Sequence, residues 1–346
     1  MKEDYVLRRY TSEDFEEYVD LYKAVYSKDL DMELFLWKNK KNHDLNEQPL
    51  IYLIFNEDNK LIGANSFFIN EIKYNNETYL GVQSGDTMVH KDYRGKGLFK
   101  KIIQYAISDL TNSGYKFIYG FANNQSYPGF VKLNFETMYQ VNIYNKILNY
   151  KQFLYSKKKH NLFKAIGGGL DFISNLHSHT QDEIEITSVG NIDDELESFI
   201  ANCYDRKYHF IKDENTIMWK YHNKPHGNYE TVVLRKNNKI IAAFILRIDA
   251  VDELNKGNIV EYFISENCDL RKIIKVLCNY LCRNKKLDYM QLWDCGDLKF
   301  IEACKKNYFI KRNNELYLIV KKLDNDFSSI SDIKMWHIVN GDADTA

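Results

Sequence analysis

The segment from Asp86 to Phe99 constrains the fold of this chain more than any other. It reads DTMVHKDYRGKGLF, in which a strand-like stretch gives way to Gly95 and Gly97, and apolar residues at helical spacing then continue to Leu110. Glycine lets successive backbone N–H groups face one point, and the N-terminus of a helix adds partial positive charge there. The segment therefore predicts a receptor for an anionic group such as a pyrophosphate.

The same turn argues against two common nucleotide sites. It matches neither the GxxxxGK[ST] pattern of nucleotide hydrolases nor the GxGxxG pattern of dinucleotide-binding proteins. The simplest alternative is a tight turn that only starts a helix. Arg94, Lys96 and Lys100 place three positive charges close to the turn, and they favour anion binding.

The patterns around this segment predict a mixed α+β fold. Strand patterns separated by polar turns, which are typical of an antiparallel meander, cover residues 50–55, 61–69 and 79–89. A helix from Leu98 and a short strand over 117–122 follow. The same order of elements recurs from about residue 184, which indicates an internal structural repeat.

The composition changes between residues 151 and 183, where a basic run and the triplet Gly167-Gly168-Gly169 are typical of a flexible linker. Near the C-terminus, Trp336 followed by two acidic residues is typical of a frayed terminus, with a site for a cationic or hydroxylated ligand as the alternative. We therefore predict a first domain over 1–150, a linker over 151–183, a second domain over 184–325 and a C-terminal tail over 326–346.

Residues Arg94 to Leu98 resemble the acyl-CoA pyrophosphate loop of the GCN5-related N-acetyltransferase (GNAT) superfamily, which reads Gln/Arg-x-x-Gly-x-Gly/Ala between a strand and a helix. Phe99 departs from the small residue that ends the family pattern. A second stretch, from Asn123 and Ser126 to Phe135, is similar to the family's Asn-x-x-Ala/Ser motif and the Leu-Gly-Phe motif that follows it. Two motifs in the family's order are more specific than either alone.

The resemblance is close over residues 1–148 and weaker over 185–322. It implies a mostly antiparallel GNAT-type sheet flanked by helices, with a second, degenerate GNAT-like lobe. In that lobe the stretch from Glu266 to Arg271 has no glycine turn and carries acids. We therefore expect no cofactor in the second lobe.

The resemblance also implies acetyl-CoA as the co-substrate, bound where the fourth and fifth strands of the sheet splay apart. Thr87 to Val89 would pair with the pantetheine arm, and Asn123 would steer it. A backbone N–H in the splay would polarise the thioester carbonyl. The expected cofactor-binding residues are Thr87, Met88, Val89, Arg94, Gly95, Lys96, Gly97, Leu98, Phe99, Asn123 and Ser126.

Two positions depart from the family's catalytic pattern. Gln83 stands where many relatives carry a carboxylate base, and the nearest carboxylate on that strand is Asp86, which alternatively pairs with Arg94 or caps a turn. Phe130 stands where many relatives carry a tyrosine that protonates the departing thiolate. Tyr127, one helical turn earlier, is then the candidate acid, with core packing as the alternative.

Composition narrows the expected partners and compartment. The 47 basic and 48 acidic residues give a net charge of -1, so no global charge attracts nucleic acid or anionic lipid. The chain shows neither a signal-peptide pattern nor an apolar run of membrane-spanning length, and we expect a cytoplasmic protein. The six cysteines lack zinc-site spacing, so we expect reduced thiols and no metal, and the sequence leaves a homo-oligomer open.

The GNAT resemblance, taken with these observations, implies an acetyl-CoA-dependent N-acetyltransferase. The acyl group would pass to the amine of a small molecule, such as an amino sugar or an aminoglycoside-like amine, by direct attack in a ternary complex. The second domain is expected to wall the substrate cleft. The alternative is a catalytically lapsed acyl-CoA sensor or regulatory protein, which Gln83 and Phe130 favour.

Overall fold

The computed structural model describes residues 5–39, 48–75, 77–159, 161–176, 184–203, 207–324 and 328–343. The Cα positions divide the chain into two compact units, each assembled from three stretches of sequence. Unit 1 comprises Met1–Gln140, Arg206–Ile211 and Glu315–Trp336, and unit 2 comprises Val141–Asp205, Lys212–Asn314 and His337–Ala346.

The described strands are β1 (Val6–Arg9), β2 (Ile51–Phe55), β3 (Leu61–Tyr74), β4 (Glu77–Val89), β5 (Phe117–Asn123), β6 (Glu136–Ile147), β7 (Ile184–Val189), β8 (Tyr208–Phe210), β9 (Tyr229–Lys236), β10 (Lys239–Val251), β11 (Leu254–Ile264), β12 (Tyr289–Asp294), β13 (Ile310–Lys322) and β14 (Trp336–His337). The described α-helices are α1 (Phe15–Tyr26), α2 (Met32–Asn39), α3 (Leu98–Asn112), α4 (Tyr127–Val131), α5 (Tyr150–Lys158), α6 (Asn161–Leu176), α7 (Asp194–Asn202), α8 (Glu214–Ile217), α9 (Leu270–Asn284) and α10 (Leu298–Lys306). Helices flank mostly antiparallel strands, which confirms the predicted α+β class.

The strands of unit 1 follow the order β1-β2-β3-β4-β5-β13, and β4 and β5 form its parallel pair. All five residues of β2 are buried, because helices cover both faces of the sheet. On one face, α3 packs with the apolar stripe that its helical spacing predicts. The buried residues of that stripe are Leu98, Ile102, Ile103, Ala106 and Leu110.

Polar contacts fix α3 against the edge of this sheet. Asp109, in the last turn of α3, lies 2.6 Å from Arg9 Nε on β1 and accepts a 2.6 Å hydrogen bond from the Tyr52 hydroxyl on β2. Arg9 also bonds Ser113 at 2.9 Å. Because these contacts hold the C-terminal end of α3, they also help to set where its N-terminus, and the glycine turn before it, lies.

The strands of unit 2 follow the order β6-β12-β11-β10-β9-β7, and β11 and β12 form its parallel pair. A register shift between Ile245 and Leu246 places a bulge in β11 opposite β10. The apolar face of α9 packs on this sheet and buries six residues: Ile273, Ile274, Val276, Leu277, Cys278 and Leu281.

Helices α5 and α6 replace the irregular connection that we expected between residues 151 and 183. The triplet from Gly167 to Gly169 lies inside α6, and residues 160 and 177–183 fall outside the described chain. A Cβ added at Gly167 would lie 2.5 Å from the Cα of Lys151 in α5. The absence of a side chain therefore lets the two helices approach closely, a role that linker composition does not reveal.

Residues 336–343 of the C-terminal tail are packed into the fold, and the expectation of a frayed terminus there is wrong. Residues 336–343 are all buried. Within unit 2, Asp342 Oδ1 lies 3.0 Å from Lys212 Nζ, and Lys212 also hydrogen-bonds Glu261. Tyr221 donates a hydrogen bond to the same Glu261 carboxylate. The acidic tail thus meets a cation of its own chain, which a linear reading cannot pair with it.

Burial alone would lower the pKa of Lys212, because it disfavours the charged form. The carboxylates of Asp342 and Glu261 outweigh burial, and the pKa of Lys212 is raised above its ordinary value. Burial raises the pKa of Glu261. This buried cluster of Lys212, Glu261, Asp342 and Tyr221 anchors the tail. A side chain at Gly341 would collide with Glu261 and Tyr221 at 2.3 Å, so the tail packs tightly against them.

Candidate functional site

Strands β4 and β5 separate beyond three paired residues. The parallel register joins Gly81 to Phe117, continues through the next pair and ends with Gln83 opposite Tyr119. Beyond that pair β4 runs on to Val89, and β5 runs on to Asn123. Backbone groups at a separating pair of strands are available to an extended ligand, which hydrogen-bonds as an added strand does.

A β-bulge marks the start of this separation. Ala64 on β3 opposes Met88, but Ser66 opposes Gly85, so β4 carries one extra residue between these pairs. Asp86, inside the bulge, has a φ of 42°, a left-handed conformation that non-glycine residues rarely adopt. The bulge redirects the end of β4, and the strands separate there.

The glycine turn after β4 is open. Gly95 and Gly97 have φ values of 80° and 77°, and a Cβ added at either position would meet nothing within 4 Å. Helix α3 begins at the next residue, Leu98. The turn therefore combines the left-handed conformation that requires glycine with an open space at a helix N-terminus, which is the geometry that suits an anion.

Positive side chains border the turn. Arg94 is exposed, and its Nε donates a 3.3 Å hydrogen bond to the backbone oxygen of Val89 at the end of β4. Lys96 Nζ lies 5.1 Å from the centroid of the Tyr93 ring. Beside them is a cavity of 360 Å³, whose lining includes Tyr5, Asn56, Glu57, Asp58, Lys60, His90, Asp92, Tyr93 and Lys96.

Asp86 forms an ion pair with Lys38 of α2, and not with Arg94. Lys38 Nζ lies 3.0 and 3.2 Å from the two carboxylate oxygens, and the lysine side chain is only 17% exposed. Burial, with the nearby Asp86 carboxylate, raises the pKa of Tyr18. If Asp86 is the catalytic base, it accepts the proton while it is ion-paired with Lys38.

Tyr127 is half-buried and packs against the core of unit 1. Its ring stacks on Tyr317 with centroids 4.0 Å apart, and its hydroxyl lies 2.9 Å from the hydroxyl oxygen of Thr137. Among the described contacts, no hydrogen bond or ion pair joins Tyr127 to Asp86. The structure thus shows the packing that was the alternative to a catalytic acid, and the acid role stays a prediction.

Phe99 and Phe130, which both depart from the family pattern, contact each other. Their rings meet edge to face with centroids 5.0 Å apart. A Cβ added at Gly129 would lie 2.6 Å from Phe99, so the larger residue at 99 occupies space that Gly129 leaves free. Phe130 also packs on Phe135 and is 5% exposed, and its ring therefore faces the core.

Asn123 and Met88 are two further residues of the expected acyl-CoA site. Asn123 ends β5, and its side-chain oxygen accepts hydrogen bonds from the backbone N–H groups of Gln125 and Ser126 at 3.0 and 3.2 Å. The asparagine thus shapes the turn into α4, with its side chain exposed. Met88 is fully buried, so only its backbone can serve a ligand.

Two polar residues at the separation escaped the sequence analysis. Lys38, the partner of Asp86, lies 48 residues away on α2 and has no motif to mark it. Asn65 on β3 is fully buried and bonds to β4. Asparagine is disfavoured in strands, so an asparagine inside a strand pattern hints that a specific polar partner is present. This was the one sequence signal, and a weak one, that could have identified Asn65.

Residues 6–138 match the family model of the acetyltransferase (GNAT) domain. No curated protein matches the chain in sequence. The matched stretch includes the glycine turn, the separating strands and α4. The match therefore supports the GNAT superfamily for this part of the chain.

Solved structures share the fold at low sequence identity. A GCN5-related N-acetyltransferase from Anabaena variabilis matches with a TM-score of 0.65 and 9% identity, over 93% of this chain and 73% of its own. A probable N-acyltransferase from Enterococcus faecalis matches with a TM-score of 0.63 and 13% identity, over the same two shares. Saccharomyces cerevisiae N-myristoyltransferase with bound myristoyl-CoA matches with a TM-score of 0.57 and 12% identity, over 92% of this chain and 79% of its own.

These neighbours support the fold, and the family match over residues 6–138 supports an N-acetyltransferase that uses an acyl-CoA co-substrate. Within the described residues, no helix combines the length and apolar character that crossing a membrane requires. The same residues contain no group of three or more His, Cys, Asp or Glu side chains placed to hold a metal ion.

Proposed function

We propose that unit 1 transfers an acetyl group from acetyl-CoA to the amine of a small molecule. One observation carries the proposal: β4 and β5 separate at Gln83–Tyr119, and the glycine turn that follows β4 is open at a helix N-terminus. An extended arm bearing a pyrophosphate fits this combination. The open space at Gly95 and Gly97 suits the pyrophosphate, and the cavity next to Lys96 offers room for the adenosine half.

In this proposal the backbone of Thr87 to Val89 pairs with the pantetheine arm, and Asn123 lies on the opposite strand of the gap. A backbone N–H at the bulge is proposed to stabilise the negative charge that develops on the thioester oxygen. The amine attacks the thioester carbon directly, a C–N bond forms, and the C–S bond breaks to release the CoA thiolate.

The attacking amine must lose a proton, since an ammonium ion has no lone pair. Asp86 is the proposed acceptor, directly or through water, and its ion pair with Lys38 holds the carboxylate in place. Because Phe130 has no hydroxyl, Tyr127 is the proposed acid for the departing thiolate, and solvent is the alternative proton source since the Tyr127 ring stacks on Tyr317.

The acceptor is proposed to be a small amine such as an amino sugar or an aminoglycoside-like amine. Two aromatic rings that suit such a ligand lie close to the bulge: Tyr26, whose hydroxyl is 3.4 Å from the Thr87 oxygen, and Phe68, whose ring lies 5.3 Å from Lys38 Nζ. We also propose that the protein acts in the cytoplasm.

Release of free thiol from acetyl-CoA in the presence of a panel of amines tests the proposal. Thiol release that depends on the amine, with formation of the corresponding amide, supports it. Tight CoA binding without turnover on any amine would favour the alternative, an acyl-CoA sensor. Gln83 and the Asp86–Lys38 ion pair are the observations that favour that alternative, since they leave no unpaired carboxylate on the described part of β4 beyond the separation.

Unit 2 is proposed to be a second GNAT-like domain that holds no acyl-CoA. Its strand order matches that of unit 1, and each unit has a single parallel pair among the described strands. The β11–β12 pairing also stops before the strands end, at Ile259 opposite Leu292. Beyond that pair, Glu261 and Tyr262 contact residues of the tail. We therefore expect one acyl-CoA for each chain.

A further inference from the structure

Asn65 is a fully buried polar side chain located where β4 bulges. It lies on β3 between the two pairs that flank the register shift, and its exposed fraction is 0%. A buried amide costs free energy unless hydrogen bonds satisfy it. The hydrogen-bond partners of Asn65 therefore indicate which part of the structure this residue stabilises.

The Asn65 amide bonds to β4 at two points, one before the bulge and one within it. Its Nδ2 donates to the hydroxyl oxygen of Ser84 at 3.1 Å, before the bulge, and its Oδ1 accepts from the hydroxyl of Thr87 at 2.5 Å, within the bulge. Nδ2 also donates to the backbone oxygen of Ser66 at 3.0 Å. Because a carbonyl oxygen can only accept, this last bond fixes the orientation of the amide, and Oδ1 must face Thr87.

We infer that Asn65 is a positioning residue, which holds the bulge in the shape that presents Thr87 to Val89 to the pantetheine arm. The inference rests on the proposed function. The bulge precedes the glycine turn, and Asn65 makes none of its described contacts with that turn. Its hydrogen bonds should therefore affect binding of the arm and leave binding of the nucleotide half unchanged.

Calorimetry with two probes separates these two effects. One probe is CoA, and the other is adenosine 3′-phosphate 5′-diphosphate, which lacks the arm. Asn65→Leu keeps the approximate size of the side chain but removes its bonds to Ser84 and Thr87. We expect its affinity for CoA to fall about ten-fold, as the loss of one to two hydrogen bonds predicts. Its affinity for the arm-less probe should change less than about two-fold.

Two further variants secure the test. Thr87→Val removes a single hydroxyl, and it should lower CoA affinity several-fold with the same selectivity even if Asn65→Leu folds poorly. Asn70→Leu is the matched control, since Asn70 lies on the same strand and its described bond goes only to the Phe68 backbone oxygen at 2.9 Å. It should bind both probes as the wild type does.

Three results bear on the inference differently. If Asn65→Leu and Thr87→Val keep wild-type affinity for CoA, or weaken both probes equally, the positioning role is overturned. If the wild-type protein binds neither probe, the proposed function fails, and not the assignment of Asn65. Selective loss of CoA affinity in these two variants, with an unaffected Asn70→Leu, supports the positioning role.

Discussion

Lys212→Met should destabilise unit 2 strongly and make its stability depend on pH. The substitution removes the cation that contacts two buried carboxylates, Glu261 and Asp342, while the apolar part of the side chain is kept. Breaking a buried ion pair by removing one partner costs about 3–5 kcal/mol, because an uncompensated charge remains. We expect a loss of this size at pH 8.

The pH dependence follows from Glu261, whose pKa is already raised by burial while Lys212 is present. Loss of Lys212 should raise it further. An acid whose folded-state pKa lies above its unfolded value contributes stability that is greatest below the unfolded pKa and is lost as the pH rises toward the folded pKa. The variant should therefore regain stability as the pH falls from 8 to 5, by at most about 1.4 kcal/mol for each pH unit, since one proton is taken up.

Urea denaturation between pH 5 and pH 8, combined with amide exchange over residues 337–343, measures both effects. The triple variant Lys212→Met, Glu261→Gln, Asp342→Asn is the control, since it removes the buried charges and should show little of this pH dependence. A loss below about 1 kcal/mol at pH 8, or a loss that is the same at pH 5, would refute the assignment of the cluster as the anchor of the tail.

Three other changes have defined outcomes. Asp86→Asn should lower kcat at least ten-fold and leave the Kd for acetyl-CoA within about two-fold, and equal effects on both would remove Asp86 from the role of base. Gly167→Ala should lower the free energy of unfolding by about 1–3 kcal/mol through overpacking against Lys151, whereas a stabilised variant in a thermal melt would show that the helices have room. Burial acts to raise the pKa of Asp14, but the hydrogen bonds that Arg8 donates to this carboxylate outweigh burial and lower the pKa. The ionised Asp14 therefore contributes stability above its unfolded-state pKa, and this contribution is lost as the pH falls through its folded-state pKa. Asp14→Asn should therefore show a weaker loss of stability than the wild type in denaturation below about pH 4.

Local patterns predicted most elements of the fold. The apolar spacing from Leu98 placed α3 correctly, because the buried face of a helix repeats every three to four residues. The Gly95 and Gly97 turn was also predictable, since few structures other than a strand-to-helix turn place glycines just before such a stripe. These signals lie within a few residues of each other, and a single sequence can therefore show them.

Contacts between distant segments could not be predicted in the same way. The second neighbour of β5 is β13, almost two hundred residues later, and the short strand β8 pairs with the distant β3. Pairings of this kind depend on which edges meet in three dimensions, and nothing in the local pattern records them. The burial of Asp342 beside Lys212 has the same origin.

The candidate site divides along the same line. The positions of Gly97 and Asn123 follow from short motifs, whereas the role of Asp86 depends on Lys38, which no motif links to it. Phe130 is a second residue whose role could be predicted only in part. Its departure from the family pattern was visible in the sequence, but its contact with Phe99 was not, because that contact depends on how α3 and α4 pack.

Calorimetric titration of acetyl-CoA into the wild-type protein and into Gly97→Asp tests the central claim most directly. We predict one binding site for each chain in the wild type and no measurable binding in Gly97→Asp, because the carboxylate would enter the space proposed for the pyrophosphate. Gly114→Asp is the matched control, since Gly114 also has a positive φ, of 85°, and open space around its Cβ position, but lies at the opposite end of α3, and it should bind as the wild type does. Unchanged affinity in Gly97→Asp would contradict the account.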